Sequence, residues 1–337
     1  MSEPLKTPDG VNPNEVIPFA RGIEWVGALE QILAYNGIKV PTTQAQSDFD
    51  RVWLTVMYLE EARAGKYKID PMADIRPDHR KAIGLIHLAE LIFRAQGRGQ
   101  IQTFIKHIEL LPKCRFSQND KAFSDDGSNK VFELLIGLTC SEIGHDVSMD
   151  DPVKPKGNNP DVLVTVDGRR WGFACKVLNG YNPQSMFDRL KEGIDQIERS
   201  EAEIGCVVFN LKNVVDHDSF LPIMNGANYA AGTEEPRFGF FRERWPVEQK
   251  LKEIASEKHF NLVNECSPSQ LGKLFLAKKT IPGSLLFIQT VVGVMLGGKP
   301  VISNYGLLSL MKFGSVLPRD ALVLDRLNDV MHRRWAE

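Results

Sequence analysis

Apolar residues recur every three to four positions through the first third of the chain, the spacing that aligns them on one face of an α-helix. Trp25, Leu29 and Leu33 show this period. The pattern predicts a helical N-terminal unit over residues 21–112. Residues 1–20 are polar and contain several prolines, so we expect a flexible lead-in that lacks the apolar segment of a signal peptide.

The periodicity changes after residue 112. Residues 113–128 are polar and aperiodic, which predicts a linker. The pattern that follows predicts a helix over residues 131–144, three short strands within residues 145–176, a helix over residues 184–199 and a buried strand over residues 204–211. This order of helix, three strands, helix and strand indicates an α/β core over residues 129–215.

The pattern of the last third of the chain indicates mostly helical structure. Helices are predicted over residues 247–258, 267–278, 283–296 and 319–335. The third of these is the most apolar segment of the chain, but it is too short and too often interrupted to span a bilayer, which favours a buried helix. We therefore expect residues 216–337 to form a mostly helical extension that packs on the core.

A tight turn is predicted inside the α/β core. Asp167-Gly168 is flanked by alternating apolar residues, and this dipeptide is typical of a type I′ hairpin turn, in which both central residues have positive φ. A two-residue turn pairs Val166 with Arg169. The turn therefore fixes the register of the two strands that it joins.

That register predicts which side chains meet. Asp161 is placed opposite Ala174, and Lys176 lies two residues further along the same strand, so the three are expected to share one face. Cys175 is expected to point to the other face, into the core. An acid and a lysine therefore converge, and the residue between them is an alanine.

Composition excludes some classes of protein. The formal net charge of −2 gives no overall affinity for polyanions, so binding to nucleic acid requires a local basic surface. Four basic residues near the hairpin are candidates for such contacts: Lys154, Lys156, Arg169 and Arg170. The five cysteines are scattered and form no CxxC pair, which indicates a reducing compartment and argues against a zinc site. We expect a cytoplasmic protein with no membrane partner.

The hairpin and its neighbours resemble the PD-(D/E)XK nuclease superfamily over residues 129–211. Pro160-Asp161 stands at the start of the second strand, Ala174-Cys175-Lys176 occupies the (D/E)-X-K position of the third, and Glu133 and Gln196 lie in the helices before and after. The resemblance implies a restriction-endonuclease-like core, in which helices flank a mixed sheet. It also implies a divalent-metal-dependent endonuclease, a hydrolase that cleaves DNA in restriction or phage defence.

The resemblance also implies a role for each residue. Asp161 would be the principal ligand of Mg²⁺ or Mn²⁺, and the backbone carbonyl of Cys175 another. Lys176 would orient or activate the attacking water and offset charge on the phosphate. Glu133 would hold a metal-bound water or a second ion, and Gln196 would position water or phosphate. Many nucleases of this fold cut duplexes as dimers, so a homodimer agrees with the resemblance.

Ala174 departs from the family pattern, because alanine cannot ligate a cation where the family has a second carboxylate. Three explanations remain open. The acid has migrated to the following helix, where Glu192 is favoured over Asp188; or the site is inactive and the fold binds nucleic acid or a partner protein; or an inactivating substitution has replaced a glutamate. A structural protein assembled through its helical N-terminal unit is a further alternative.

Overall fold

The computed structural model describes residues 19–40, 48–121, 126–154, 159–180, 182–224, 241–242, 244–296 and 299–332. Within these residues the chain forms nine α-helices and one six-stranded mixed sheet, an α/β architecture as the sequence predicts. Among the described residues, no helix combines the length and apolarity needed to cross a lipid bilayer. The predicted lead-in lies almost entirely outside the described residues.

Four helices form the N-terminal region: α1 (Phe19–Tyr35), α2 (Asp48–Arg63), α3 (Arg76–Gly97) and α4 (Ile101–Ile108). They form where the sequence has its helical period, and Trp25, Leu29 and Leu33 lie buried on one face of α1. A single 3-10 turn, Leu111–Lys113, follows α4. The helical character predicted for this region is confirmed for its described residues.

The described part of the predicted linker is largely buried. Phe116, Ser117, Gln118 and Asn119 are each shielded from solvent. The Ser117 hydroxyl donates a hydrogen bond to the Asn119 side-chain oxygen at 2.8 Å, and the Gln118 side chain accepts one from the Asn210 amide at 2.8 Å. A polar, aperiodic segment can be buried in this way when its polar groups find internal partners.

The predicted order of the core elements is confirmed. It consists of α5 (Asp126–Ile143), β1 (His145–Met149), β2 (Val162–Val166), β3 (Arg169–Val177), α6 (Pro183–Arg199) and β4 (Ile204–Asn210). The pairs β1–β2 and β2–β3 are antiparallel, whereas β3–β4 is parallel and is connected through α6. Asn182 caps the start of α6 by accepting a hydrogen bond from the Gln184 backbone N–H.

The hairpin turn has the predicted register and geometry. Val166 pairs with Arg169, and the φ values of Asp167 and Gly168 are 51° and 73°, both positive as a type I′ turn requires. The same register pairs Val162 with Phe173 at the other end of β2. The turn therefore brings the segment just before β2 beside the end of β3.

The C-terminal part contains two long strands that the sequence did not predict. Its elements are α7 (Arg244–Glu265), α8 (Pro268–Leu274), β5 (Thr280–Leu296), β6 (Lys299–Lys312) and α9 (Pro318–His332). The predicted helix over residues 283–296 is wrong, since these residues belong to β5, which pairs parallel with β4 and antiparallel with β6. Both faces of this strand are covered, so its residues are apolar on both sides. Apolar and polar residues therefore do not alternate along it, and the sequence pattern did not indicate a strand.

Two apolar cores lie on the two faces of the sheet. The first joins the sheet to α1, α3, α4, α5 and α9, and includes Trp171, Phe173 and Cys175 of β3. The second lies under α6, α7 and α8, and includes Ala174 and the β4 residue Val207. Alternate residues of β3 therefore face opposite cores, and the predicted inward orientation of Cys175 is confirmed.

Candidate functional site

Asp161 lies at the edge of the sheet, just before β2. Its side chain is buried, with the residue 7% exposed, and its Oδ2 accepts a hydrogen bond from the backbone N–H of Cys175 at 2.6 Å. The hairpin register creates this contact, because it places the start of β2 against the end of β3. Asp161 contacts Cys175 through the Cys175 N–H. The metal-ligand role expected of the Cys175 carbonyl stays a prediction.

The carboxylate of Asp161 turns towards α5, and in this respect one expectation is wrong. It interacts electrostatically with Glu133 on α5, whereas Ala174 faces α6 in the second core. The two residues therefore do not direct their side chains to the same face. The strict alternation of a strand begins at Val162, and Asp161 lies in a bend outside β2, where alternation does not apply.

Glu133 is the centre of a group of polar side chains on α5 and α4. The Lys130 Nζ donates a hydrogen bond to its Oε1 at 2.7 Å, and the Nε2 of His107 lies 3.3 Å from its Oε2. Glu133 is itself buried. A buried carboxylate needs partners of this kind, since leaving one unpaired in the interior is unfavourable by several kcal/mol.

Lys176 and Gln196 are in direct contact, which the sequence did not predict. The Nζ of Lys176, near the end of β3, donates to the Oε1 of Gln196 on α6 at 2.7 Å. Both side chains are partly buried, and the positive charge of Lys176 acts on both Asp161 and Glu133. We call the following residues the acid–lysine cluster: Asp161, Glu133, Lys130 and His107, with the hydrogen-bonded pair Lys176 and Gln196, whose positive charge acts on both acids.

Burial dominates the electrostatics of this cluster. It raises the pKa of Asp161 to about 7, the negative charge of Glu133 adds to the rise, and Lys176, the Cys175 N–H and Lys130 oppose it. Burial also raises the pKa of Glu133, against the opposing charge of Lys130. Glu133 therefore disfavours ionisation of Asp161, whereas Asp161 favours the ionised form of Glu133.

His107 and Lys130 respond to the same surroundings in opposite ways. Burial, followed by the nearby charge of Lys130, lowers the pKa of His107 to about 4, so its imidazole is neutral at pH 7. Burial tends to lower the pKa of Lys130, but the charges of Glu133, Asp161 and Asp150 outweigh it and raise that pKa. Lys130 is therefore a cation at neutral pH.

Ala174 occupies a closed position between the sheet and α6. The residue is fully buried, and a Cβ built on Gly193 of α6 would lie 3.3 Å from the Ala174 Cβ and 2.8 Å from the side chain of Val207. A glutamate side chain at position 174 would have no room unless α6 moved away from the sheet. The place of the missing carboxylate is therefore filled by packing.

Glu192 lies on the solvent-facing side of α6. Its Oε2 accepts a hydrogen bond from Arg189 at 3.0 Å, and the side chain is 54% exposed. Asp188 is also exposed and accepts a hydrogen bond from the Gln184 side chain. The structure does not bring either carboxylate to buried Asp161.

The predicted nucleic-acid contacts have different environments. Arg169 donates to Asp320 on α9 at 2.6 Å, and Arg170 donates to groups of β1, so both guanidinium groups have structural partners. Lys154 is exposed, and Lys156 lies outside the described residues. Their contact with nucleic acid stays a prediction.

Sequence reasoning missed Lys130 and His107 as members of the cluster. Lys130 precedes Glu133 by three residues on one helix, and that spacing places two side chains side by side, so a signal for this pair was present. His107 had no such signal. It belongs to α4, and only the packing of α4 on α5 brings it to Glu133.

The cluster offers a small set of oxygen donors to a divalent cation. Within the described residues, no group of three or more His, Cys, Asp and Glu side chains is arranged to hold a metal ion. Mg²⁺ needs fewer protein ligands than that, because it keeps several waters and is bound through one or two carboxylates. Asp161 and Glu133 are neighbouring oxygen donors whose pKa values are raised by burial, and a cation would favour the ionised form of both, so this donor set fits Mg²⁺ or Mn²⁺.

Comparisons with protein-family models, with curated proteins and with solved structures gave no match to this chain.

Proposed function

We propose that this protein is a divalent-metal-dependent nuclease that hydrolyses phosphodiester bonds in DNA. One observation carries the proposal: two buried carboxylates, Asp161 and Glu133, meet beside Lys176 at the edge of the hairpin. The element order from α5 to β4, with β3 and β4 parallel, supports a restriction-endonuclease-like core.

In this proposal Glu133 replaces the carboxylate that is missing at position 174. Asp161 and Glu133 would hold the cation, which when bound would neutralise phosphate charge and supply a water of lowered pKa. The Cys175 N–H keeps the Asp161 carboxylate at the sheet edge. The acid therefore comes from the helix before the sheet, and neither Glu192 nor Asp188 is required.

Lys176 would hold the attacking water or a phosphate oxygen. Its ammonium is oriented by the hydrogen bond to Gln196, which fixes a long and otherwise flexible side chain. Gln196 is therefore a positioning residue in this proposal. Cytoplasmic location, a homodimer and a context of restriction or phage defence rest on the resemblance alone.

A nuclease-fold module without catalytic activity is the second candidate. The observation that favours it is the burial of both carboxylates, together with the ion pair that Glu133 forms with Lys130. Partners of this kind let the two acids stay buried in the folded protein without a cation. Such a module would bind nucleic acid or a partner protein and leave the phosphodiester bonds intact.

Cleavage assays separate the two candidates. The purified full chain is incubated with supercoiled, linear and single-stranded DNA and with RNA, in Mg²⁺, in Mn²⁺ and in EDTA. We expect metal-dependent cleavage of DNA that falls by about 10²-fold or more in Asp161→Asn, Glu133→Gln and Lys176→Met. Glu192→Gln is the matched control, since it neutralises a carboxylate of α6 that is exposed and paired with Arg189.

Two results would contradict the proposal. Absence of cleavage of every substrate in both metals rules out the nuclease, and DNA binding in the same preparations then supports the module. Loss of cleavage in Glu192→Gln with full activity in Glu133→Gln would show that the acid has migrated to α6.

A further inference from the structure

We propose that Lys130 and Lys176 form a two-lysine entrance to the acid–lysine cluster and bind a backbone phosphate of duplex DNA. The inference rests on the proposed function and adds to it Lys130, a residue that the sequence motif does not include. The two lysines come from separate elements, α5 and β3, and the positive charge of each acts on both Asp161 and Glu133. A ligand that reaches the carboxylates would therefore be within the field of two cations.

The exposed fractions of the side chains in the cluster indicate which charges a ligand would meet first. The side chain of Lys130 is 18% exposed, whereas those of Glu133 and His107 are 6% and 1% exposed. Lys176 is likewise partly exposed. The carboxylates thus form the inner layer and the ammonium groups the outer layer, and this order selects an anion.

Each ammonium group has donors left for a phosphate. A lysine side chain carries three N–H donors. Lys130 uses one on Glu133, and Lys176 uses one on Gln196, at 2.7 Å in both cases. Two donors on each side chain are therefore available to oxygens that enter between them.

The charge of the cluster also favours a phosphate once a cation is present. The two lysines balance the two carboxylates of the pair, so a bound divalent cation would add two positive charges, which the nearby carboxylate of Asp150 would offset only in part. The chain as a whole has a formal charge of −2, and its attraction for DNA must therefore arise from local cations of this kind. The backbone phosphate is the group of DNA that such a site would recognise.

The salt dependence of DNA binding tests this inference without metal and without catalysis. The dissociation constant of a short duplex is measured in EDTA over a series of salt concentrations, for wild type and for Lys130→Met. Each phosphate contact contributes about 0.9 to the slope of log K against log salt on duplex DNA, so we expect the slope to fall by about 0.9 in Lys130→Met. Lys130→Arg keeps the charge and should restore the slope.

Lys252→Met is the matched control. Lys252 lies on α7, pairs with Glu248 at 2.5 Å and is half-exposed, so its loss should leave the slope unchanged. Thermal unfolding confirms that each variant is folded. Where the wild type cleaves DNA, Lys130→Met should raise KM more than it lowers kcat, because its role is to bind the phosphate.

The outcomes separate this inference from the proposed function. An unchanged slope in folded Lys130→Met, or a wild type that does not bind the duplex, overturns the two-lysine entrance, even where DNA is cleaved. A reduced slope that Lys130→Arg restores supports the entrance, even where no substrate is cleaved and the nuclease proposal fails. Single-stranded DNA and RNA are run in parallel, and tighter binding to RNA than to duplex DNA contradicts the stated ligand.

Discussion

Asp161 and Glu133 show how a buried acid pair is kept in this fold. Each carboxylate is shielded from water, and each has hydrogen-bond donors supplied by a neighbouring element: the Cys175 N–H for Asp161 and the Lys130 ammonium for Glu133. These donors offset part of the desolvation, but the raised pKa values of both acids show that they do not offset all of it. The folded state is therefore under electrostatic strain at this pair.

That strain predicts the pH dependence of stability. The pKa of Asp161 is raised from 3.8 to about 7, so between these values the folded state binds more protons than the unfolded state. The free energy of unfolding should then fall as pH rises from about 4 to about 7, by a few kcal/mol from this residue. Urea unfolding in EDTA across that range measures it. Asp161→Asn should flatten the profile and stabilise the protein at pH 7, and an unchanged profile in this variant would contradict the assignment.

Sequence predicted those site residues whose placement is local and missed those placed by tertiary packing. The register of the two-residue hairpin places Asp161 beside the end of β3, where Lys176 lies, so both residues could be found from the turn. The direction of the Asp161 side chain depends on the bend before β2 and could not. Glu133 was found by resemblance, but its direct contact with Asp161 depends on how α5 packs on the sheet. His107 depends on two packing steps, α4 on α5 and α5 on the sheet, so nothing in the chain's local pattern indicated it.

The turn of the β2–β3 hairpin depends on one glycine. Gly168 has a φ of 73°, and a Cβ at this position would meet no atom within 4 Å, so an alanine here would be strained by its backbone conformation alone. We expect Gly168→Ala to reduce the free energy of unfolding by about 1 kcal/mol. Gly180→Ala is the control, because Gly180 also has open space around its Cβ position and has no positive φ. Equal effects in the two variants would contradict this account of the turn.

The β5 strand shows that hydrophobic periodicity cannot distinguish a fully buried strand from a buried helix. The segment is continuously apolar because β5 lies between β4 and β6 with both faces covered, and an apolar run has the same appearance in a buried helix. Composition favoured a strand: Ile288, Val291, Val292 and Val294 are β-branched, and two-sided packing suits such side chains. Length argued for a helix, since a strand of 17 residues is far longer than is usual.

The N-terminal helices and the sheet share one hydrophobic core. Leu29 and Leu33 of α1 belong to the same buried cluster as Trp171 and Phe173 of β3. The helix α9, at the other end of the chain, contributes Leu324 to this cluster. Segments from both ends of the chain thus stabilise the sheet face beside which the acid–lysine cluster lies.

The shared core predicts that α1 and the sheet unfold together. Leu29 is fully buried in α1, and Leu29→Ala should cost roughly 3 kcal/mol through lost burial and a residual cavity. In a background where Trp171 is the only tryptophan, its fluorescence reports on β3, and far-UV circular dichroism reports on all helices. We expect Leu29→Ala to shift both transitions in urea by the same amount, whereas Tyr35→Ala, at a position 75% exposed, should shift neither. A Trp171 transition that stays in place while the helical signal moves would show that the N-terminal helices unfold as a separate unit.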